Sequence, residues 1–184
     1  MSRRPITAPT IRHRPSALLL ALGLLLALAA PLALPGRASA RAQGGDPLCT
    51  TSGWSVPPGI NNPLAVTWSN IGNRSNAGYA YRYWMTQELS GSTNYYLTSF
   101  VAKCSGGSLI STTTLPPTSG SGTAACTSTA DRYPTPSDAE RYVGQITSWQ
   151  RGYLTRFTFR FWHREWFSVA SLRWNYGSSF VVRC

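Results

Sequence analysis

Acidic side chains are scarce in this chain: there are six among 184 residues, and only Asp138 and Glu140 stand close together. That leaves little material for the paired carboxylates that cleave glycosidic bonds. Histidine is scarcer still. Only His13 and His163 occur and no Cys-x-x-Cys pair exists, so a zinc site has no ligand set and no metal or other cofactor is expected. A Ser-His-Asp triad would depend on His163 alone, and no Gly-x-Ser-x-Gly motif supplies its nucleophile. Lysine appears once, as Lys103, so the positive charge is almost wholly guanidinium, a group suited to stacked and bidentate contacts.

Long apolar runs are confined to one place, Ala17 to Leu34, behind Arg3, Arg4, Arg12 and Arg14. Pro35-Gly36-Arg37 and then Ala38-Ser39-Ala40 follow, the small-x-small pattern of a signal-peptidase site. Residues 1–40 therefore read as a signal peptide cleaved after Ala40, which predicts a secreted, extracellular protein with no stable membrane insertion once the leader is removed. Residues 41–48, Arg-Ala-Gln-Gly-Gly-Asp-Pro-Leu, read as a flexible N-terminal tail. The exported part carries 12 basic and six acidic side chains, a net charge of +6 against +11 for the whole chain.

All four cysteines, Cys49, Cys104, Cys126 and Cys184, lie in the exported part, and an even number in such a chain reads as two disulfides.

The exported part repeats itself. Tyr79 to Trp84, YAYRYW, returns as Phe157 to Trp162, FTFRFW; Ser99 to Cys104, SFVAKC, returns as Ser179 to Cys184, SFVVRC. Each copy of the second motif follows an Asn-Tyr pair, Asn94-Tyr95 and Asn175-Tyr176. The landmarks keep their order at offsets of 77, 78 and 80 residues, which predicts two tandem copies of a unit of about 57 residues, 49–104 and 126–184. The Ser, Thr, Gly and Pro-rich stretch 105–125 reads as a linker, ordered where Leu109 and Ile110 find a partner. A unit copied whole carries its own bridge, which favours Cys49 with Cys104 and Cys126 with Cys184 over Cys104 with Cys126 and Cys49 with Cys184.

Within each copy the period is two. Phe157, Phe159 and Phe161 alternate with Thr158, Arg160 and Trp162, as Tyr79, Tyr81 and Tyr83 do with Ala80, Arg82 and Trp84. The expected fold is all-β, a disulfide-stabilised sandwich or compact barrel. One short helix is expected at Ser137 to Tyr142, where Ser137 and Glu140 have capping-box spacing. Gly, Pro and Asn clusters at 57–63 and 72–78 read as turns.

Three chemistries compete. The alternation from Leu154 aligns Arg156, Thr158, Arg160, Trp162, Arg164 and Trp166 on one face, a basic and aromatic stripe. Arg82 and Trp84 form a smaller counterpart, and an Arg and Trp two apart on one strand face can stack as a cation-π pair. Such a stripe fits sugars, whose ring faces stack on indoles, or polyanions held by guanidinium charge. The leading expectation is a non-enzymatic binding module for an extracellular glycan or cell-envelope polymer, with Arg82, Trp84, Arg160, Trp162, Arg164 and Trp166 in contact. The alternative reading of those tryptophans is core packing. A secreted inhibitor of a target hydrolase, protease or glycosidase, is the second expectation, presenting Ser55 to Pro63 or a turn at His163. The third is a small nuclease or toxin in which Glu165 is the base, His163 the acid and Arg160 the phosphate ligand. A charged hairpin tip explains the same three residue types without catalysis.

Overall fold

The computed structural model describes residues 45–55 and 65–184. The expected leader, the turn cluster at 57–63 and most of the Ser55 to Pro63 loop lie outside the described residues. Among those described, two one-turn helices, α1 (Pro47–Thr50) and α2 (Ala124–Thr127), accompany ten strands. These are β1 (Trp54–Ser55), β2 (Val66–Asn76), β3 (Tyr79–Ser90), β4 (Thr93–Ser105), β5 (Ser108–Thr114), β6 (Pro117–Ser119), β7 (Arg132–Thr135), β8 (Asp138–Trp149), β9 (Arg156–Ser168) and β10 (Arg173–Arg183). The chain is all-β in class, and no described helix is long and apolar enough to cross a membrane.

The strands form one open sheet in the order β1-β2-β3-β4-β8-β9-β10-β6, with β5 beside β4 and β7 beside β8. Two antiparallel triplets, β2-β3-β4 and β8-β9-β10, dominate it. Along the sheet they meet through a single parallel pair, Tyr95 with Trp149. The β2–β3 connection is the two-residue turn Ala77-Gly78, both at positive φ (49° and 82°), the geometry that keeps a hairpin's twist.

Alternation then decides burial. Tyr81, Tyr83 and Met85 of β3 and Phe159 and Phe161 of β9 turn inward and share one core with Val101, Leu115 and Val181. Each half reaches across. Tyr96 stacks on Phe159 at 4.5 Å between ring centroids, and Tyr176 stacks on Tyr81 at 4.1 Å. Each triplet also carries a bulge at the same place, between Asn70 and Gly72 opposite β3 and between Tyr142 and Gly144 opposite β9.

The opposite face of each triplet is covered too. Disulfides Cys49–Cys104 and Cys126–Cys184 tie α1 and α2 down, so the bridges are the pairs the repeat favoured. Leu48 of α1 packs on Trp84 and Ala102, and Ala125 of α2 on Trp162 and Val182.

Three local expectations are corrected. Ser137 to Tyr142 is not helical: Asp138 begins β8, because its alternation gives β9 a full-length partner and a one-turn helix gives nothing comparable. The stretch read as a linker supplies β5 and β6, with Leu115 buried in the core and Leu109 packed against the α1 cluster. In the tail, the Asp46 carboxylate accepts from the Leu48 amide at 2.9 Å and caps α1, and Leu48 is buried.

Candidate functional site

The covered outer faces remove most of the expected contact stripe. Trp84 and Trp162 are fully buried, so neither indole has a face left for a ligand. Arg82 donates to the carbonyl of Cys49 at 2.6 Å and to that of Thr51, and Arg160, also buried, donates to the carbonyl of Cys126. Those are carbonyls at the ends of one-turn helices, which have no intrahelical partner. The two arginines therefore hold α1 and α2 in place rather than reaching outward. The expected cation-π pair exists in one half, with Arg82 at 5.9 Å from the Trp84 ring; in the other, Arg160 lies over Tyr142 at 5.0 Å.

What remains of the stripe is its far end. β9 runs unbroken through His163, so Arg164 and Trp166 continue the outer face beyond the cover of α2. Arg164 pairs with Glu140 at 2.7 Å, and Glu140 in turn with Arg132 at 2.8 Å. Trp166 is 46 % exposed. Its cross-strand neighbours are Asp138 on β8 and Asn175 on β10. Gly177 lies beside the indole: a Cβ there would come within 3.5 Å of the Trp166 ring. An indole flanked by a carboxylate, an amide and a guanidinium is an amphipathic platform of the kind that receives a sugar ring and its hydroxyls.

His163 and Glu165 face the other way, inward and mid-strand, not at a hairpin tip. The His163 Nδ1 lies 2.6 Å from the Tyr83 hydroxyl, which is also 2.8 Å from Ser179 Oγ. Glu165 accepts from Asn76 Nδ2 at 2.9 Å and from Arg141 Nε at 3.0 Å, and its Oε1 stands 3.5 Å from His163 Nε2. Arg141 extends the chain of charges to Asp131 at 3.0 Å and to the Tyr133 hydroxyl at 2.7 Å.

Electrostatics follow from burial. Desolvation pushes the His163 pKa down to about 4; Glu165 opposes this, while Arg74 and Arg141 reinforce it. Burial also raises the Tyr83 hydroxyl far above its ordinary value. Burial disfavours the charge of Arg141, but its bonds to Glu165, Tyr133 and Asp131 outweigh that and hold it protonated. A neutral imidazole beside a protonated phenol takes the tautomer in which Nδ1 accepts from Tyr83 and Nε2 carries the proton toward Glu165.

This arrangement does not match the expected acid, base and phosphate set. Arg160 and Arg164 are on the outer face and cannot join His163 and Glu165; Arg74 and Arg141 take their place. The imidazole has no solvent exposure, and each oxygen of the largely buried carboxylate already accepts a hydrogen bond from within the protein. Arg141, Arg74, Asn76 and Tyr83 were not singled out from sequence because they come from separate strands, β8, β2 and β3, that only pairing and packing bring to His163. Among the described residues no group of three or more His, Cys, Asp and Glu side chains is placed to hold a metal ion.

Compared with protein-family models, curated protein sequences and solved structures, the chain matches none.

Proposed function

We propose that this is an exported binding protein that contacts a glycan or cell-envelope polymer through the platform of Trp166, Arg164, Asp138 and Asn175. The half-exposed Trp166 indole among those polar side chains carries the reading. The leader at 1–40 supports export, and two disulfides suit an oxidising compartment. We further infer that the two halves descend from one duplicated unit, packed with their aromatic faces together. Matching bulges, matching bridges and the exchanged stacks of Tyr96 on Phe159 and Tyr176 on Tyr81 support that descent.

Tryptophan fluorescence of the exported protein, titrated with soluble polysaccharides and RNA at low and high salt, tests the function. A saturable change with a polysaccharide that survives high salt, and that Trp166→Ala weakens at least tenfold, is the expected result. Binding that collapses steeply with salt and favours RNA would replace the glycan with a polyanion. Ligand affinity unchanged in Trp166→Ala would remove the platform from the account.

A further inference from the structure

Where the two triplets meet through Tyr95 and Trp149, a cleft of about 480 Å³ opens between the β3–β4 hairpin and the β8–β9 hairpin. That volume lies within the range of small-molecule sites, roughly 300–1,000 Å³. Hydroxyl and amide side chains, Gln87, Thr93 and Ser148 among them, line it beside Trp149 and Arg156, and no carboxylate does.

The cleft has a counterpart at the other end of the molecule, and that counterpart is filled. Superposing the matching bulges sets Gly72 against Gly144, Asn76 against Ser148 and Ser69 against Arg141, while the repeat offset sets Met85 against His163 and Gln87 against Glu165. The hydrogen bonds correspond. Arg141 and Asn76 both donate to Glu165; Ser69 donates to Gln87 at 3.4 Å, and Gln87 donates to Ser148 at 2.9 Å. Asn76 donates to the carbonyl of Trp174, as Ser148 does to that of Asn94. At one end an imidazole, a carboxylate and a guanidinium complete a sealed network. At the other, an amide and hydroxyls bond in the corresponding places without charge, a thioether stands where the imidazole does, and the space beside them is open.

From this difference we propose that the cleft binds a sugar unit bearing a carboxylate, a hexuronate. Gln87 and Ser148 are buried and fixed by their mutual bond, giving the floor a rigid polar surface. Ser92, Thr93 and Asn94 make no side-chain hydrogen bond among the described residues, so their groups are available to ligand hydroxyls. Arg156 is exposed and joins no ion pair among the described residues. It lies over the Trp149 ring at 5.7 Å, which holds the guanidinium at the cleft mouth. Hydroxyls and amides match a polyol, and a single guanidinium matches one carboxylate through a bidentate pair. One cation is too little for a polyphosphate or a nucleic-acid strand, and the floor is too polar for an apolar ligand. This inference rests on the glycan-binding reading of the molecule but uses a different surface from Trp166.

The test is a ¹H–¹⁵N titration of the exported protein with tetragalacturonate, with a neutral tetrasaccharide as control, following the Trp149 indole N–H. The expected result is a saturable Trp149 shift with the uronate alone, weakened at least tenfold by Arg156→Gln and retained in Trp166→Ala. Thr93→Val, a near-isosteric change at a part-buried position of the cleft wall, is expected to weaken it severalfold with the fold intact. Three results overturn the proposal: no saturation by the uronate, equal binding in Arg156→Gln, or full displacement by inorganic sulfate at matched ionic strength, which would mark a plain anion site. Loss of polymer binding in Trp166→Ala with the Trp149 shift unchanged separates the two surfaces, so either can fail without the other.

Discussion

Gly72 and Gly144 lie at the closest approach of β2 and β8, each against the residue preceding the other: a Cβ on Gly144 would stand 2.5 Å from the Ile71 carbonyl oxygen, and one on Gly72 would stand 2.8 Å from that of Val143. Neither glycine has positive φ, so space and not backbone freedom demands them. Gly144→Ala must push two backbones apart, and we expect it to cost about 1–3 kcal/mol, the range for overpacking. Gly72→Ala is expected to fall in the same range. Urea denaturation of each variant checks this; a change under 0.5 kcal/mol, on the order of a surface substitution, would mean that the strands yield freely.

The two buried indoles give an internal comparison. Trp84→Ala and Trp162→Ala should each cost about 3–5 kcal/mol through cavity formation. The Trp84 indole N–H donates to the Leu48 carbonyl at 3.2 Å, whereas that of Trp162 has no partner among the described residues. Trp84→Phe should therefore destabilise more than Trp162→Phe, by about 1 kcal/mol, the net worth of one hydrogen bond. Thermal denaturation of the pair ranks them.

Each disulfide fastens one short helix over one tryptophan. Cys49→Ala with Cys104→Ala should cost about 4 kcal/mol in the chain-entropy estimate for a loop of this length, and so should Cys126→Ala with Cys184→Ala. Faster amide exchange is expected around α1 in the first variant and around α2 in the second. Exchange that rises equally in both helices in either variant would show that the two covers are one cooperative unit.

Acid should weaken the fold through His163. Its folded pKa of about 4 lies below the unfolded value of about 6.5, so within that window the unfolded chain binds a proton that the folded chain refuses. Stability from this group is complete above pH 6.5 and falls as the pH drops toward 4, by up to about 1.4 kcal/mol per pH unit. The groups facing it are Tyr81, Tyr83 and Tyr176, with Glu165, Arg74 and Arg141. His163→Met, which copies the residue at the matching place in β3, should flatten the dependence between pH 4.5 and 6.5 in urea titrations, whatever its effect at pH 7.

The strands and bridges were legible because their signals are local or recur in the sequence: alternation marks β3 and β9, and the similar stretches 49–104 and 126–184 each begin and end on a cysteine of one bridge. Which face of a strand is covered is not local. Trp84 and Trp162 alternate away from the shared core and are covered by Pro47–Thr50 and Ala124–Thr127, one-turn helices whose sequence signals are slight: the Asp46-Pro47 start of the first, and an apolar residue beside a cysteine, Leu48 or Ala125, in each. The strand over Asp138 to Tyr142, where the spacing predicts a helix, has a similar cause. Capping-box spacing is a weak propensity, and pairing along the whole of β8 overrides it. The His163 network was invisible for the opposite reason, since its members Asn76, Tyr83, Arg141 and Ser179 are remote in sequence and chemically unremarkable until assembled.

No disulfide crosses between residues 49–104 and 126–184, and the segment between them gives β5 to one half and β6 to the other. A peptide-bond cut at Pro116 would release two cross-linked fragments with no covalent tie, joined by the aromatic core and by the Tyr95 and Trp149 pair. Such fragments would reassociate as a heterodimer, each supplying the rings that the other's core lacks. The molecule would then serve as a split reporter whose reconstitution rebuilds the cleft at its seam.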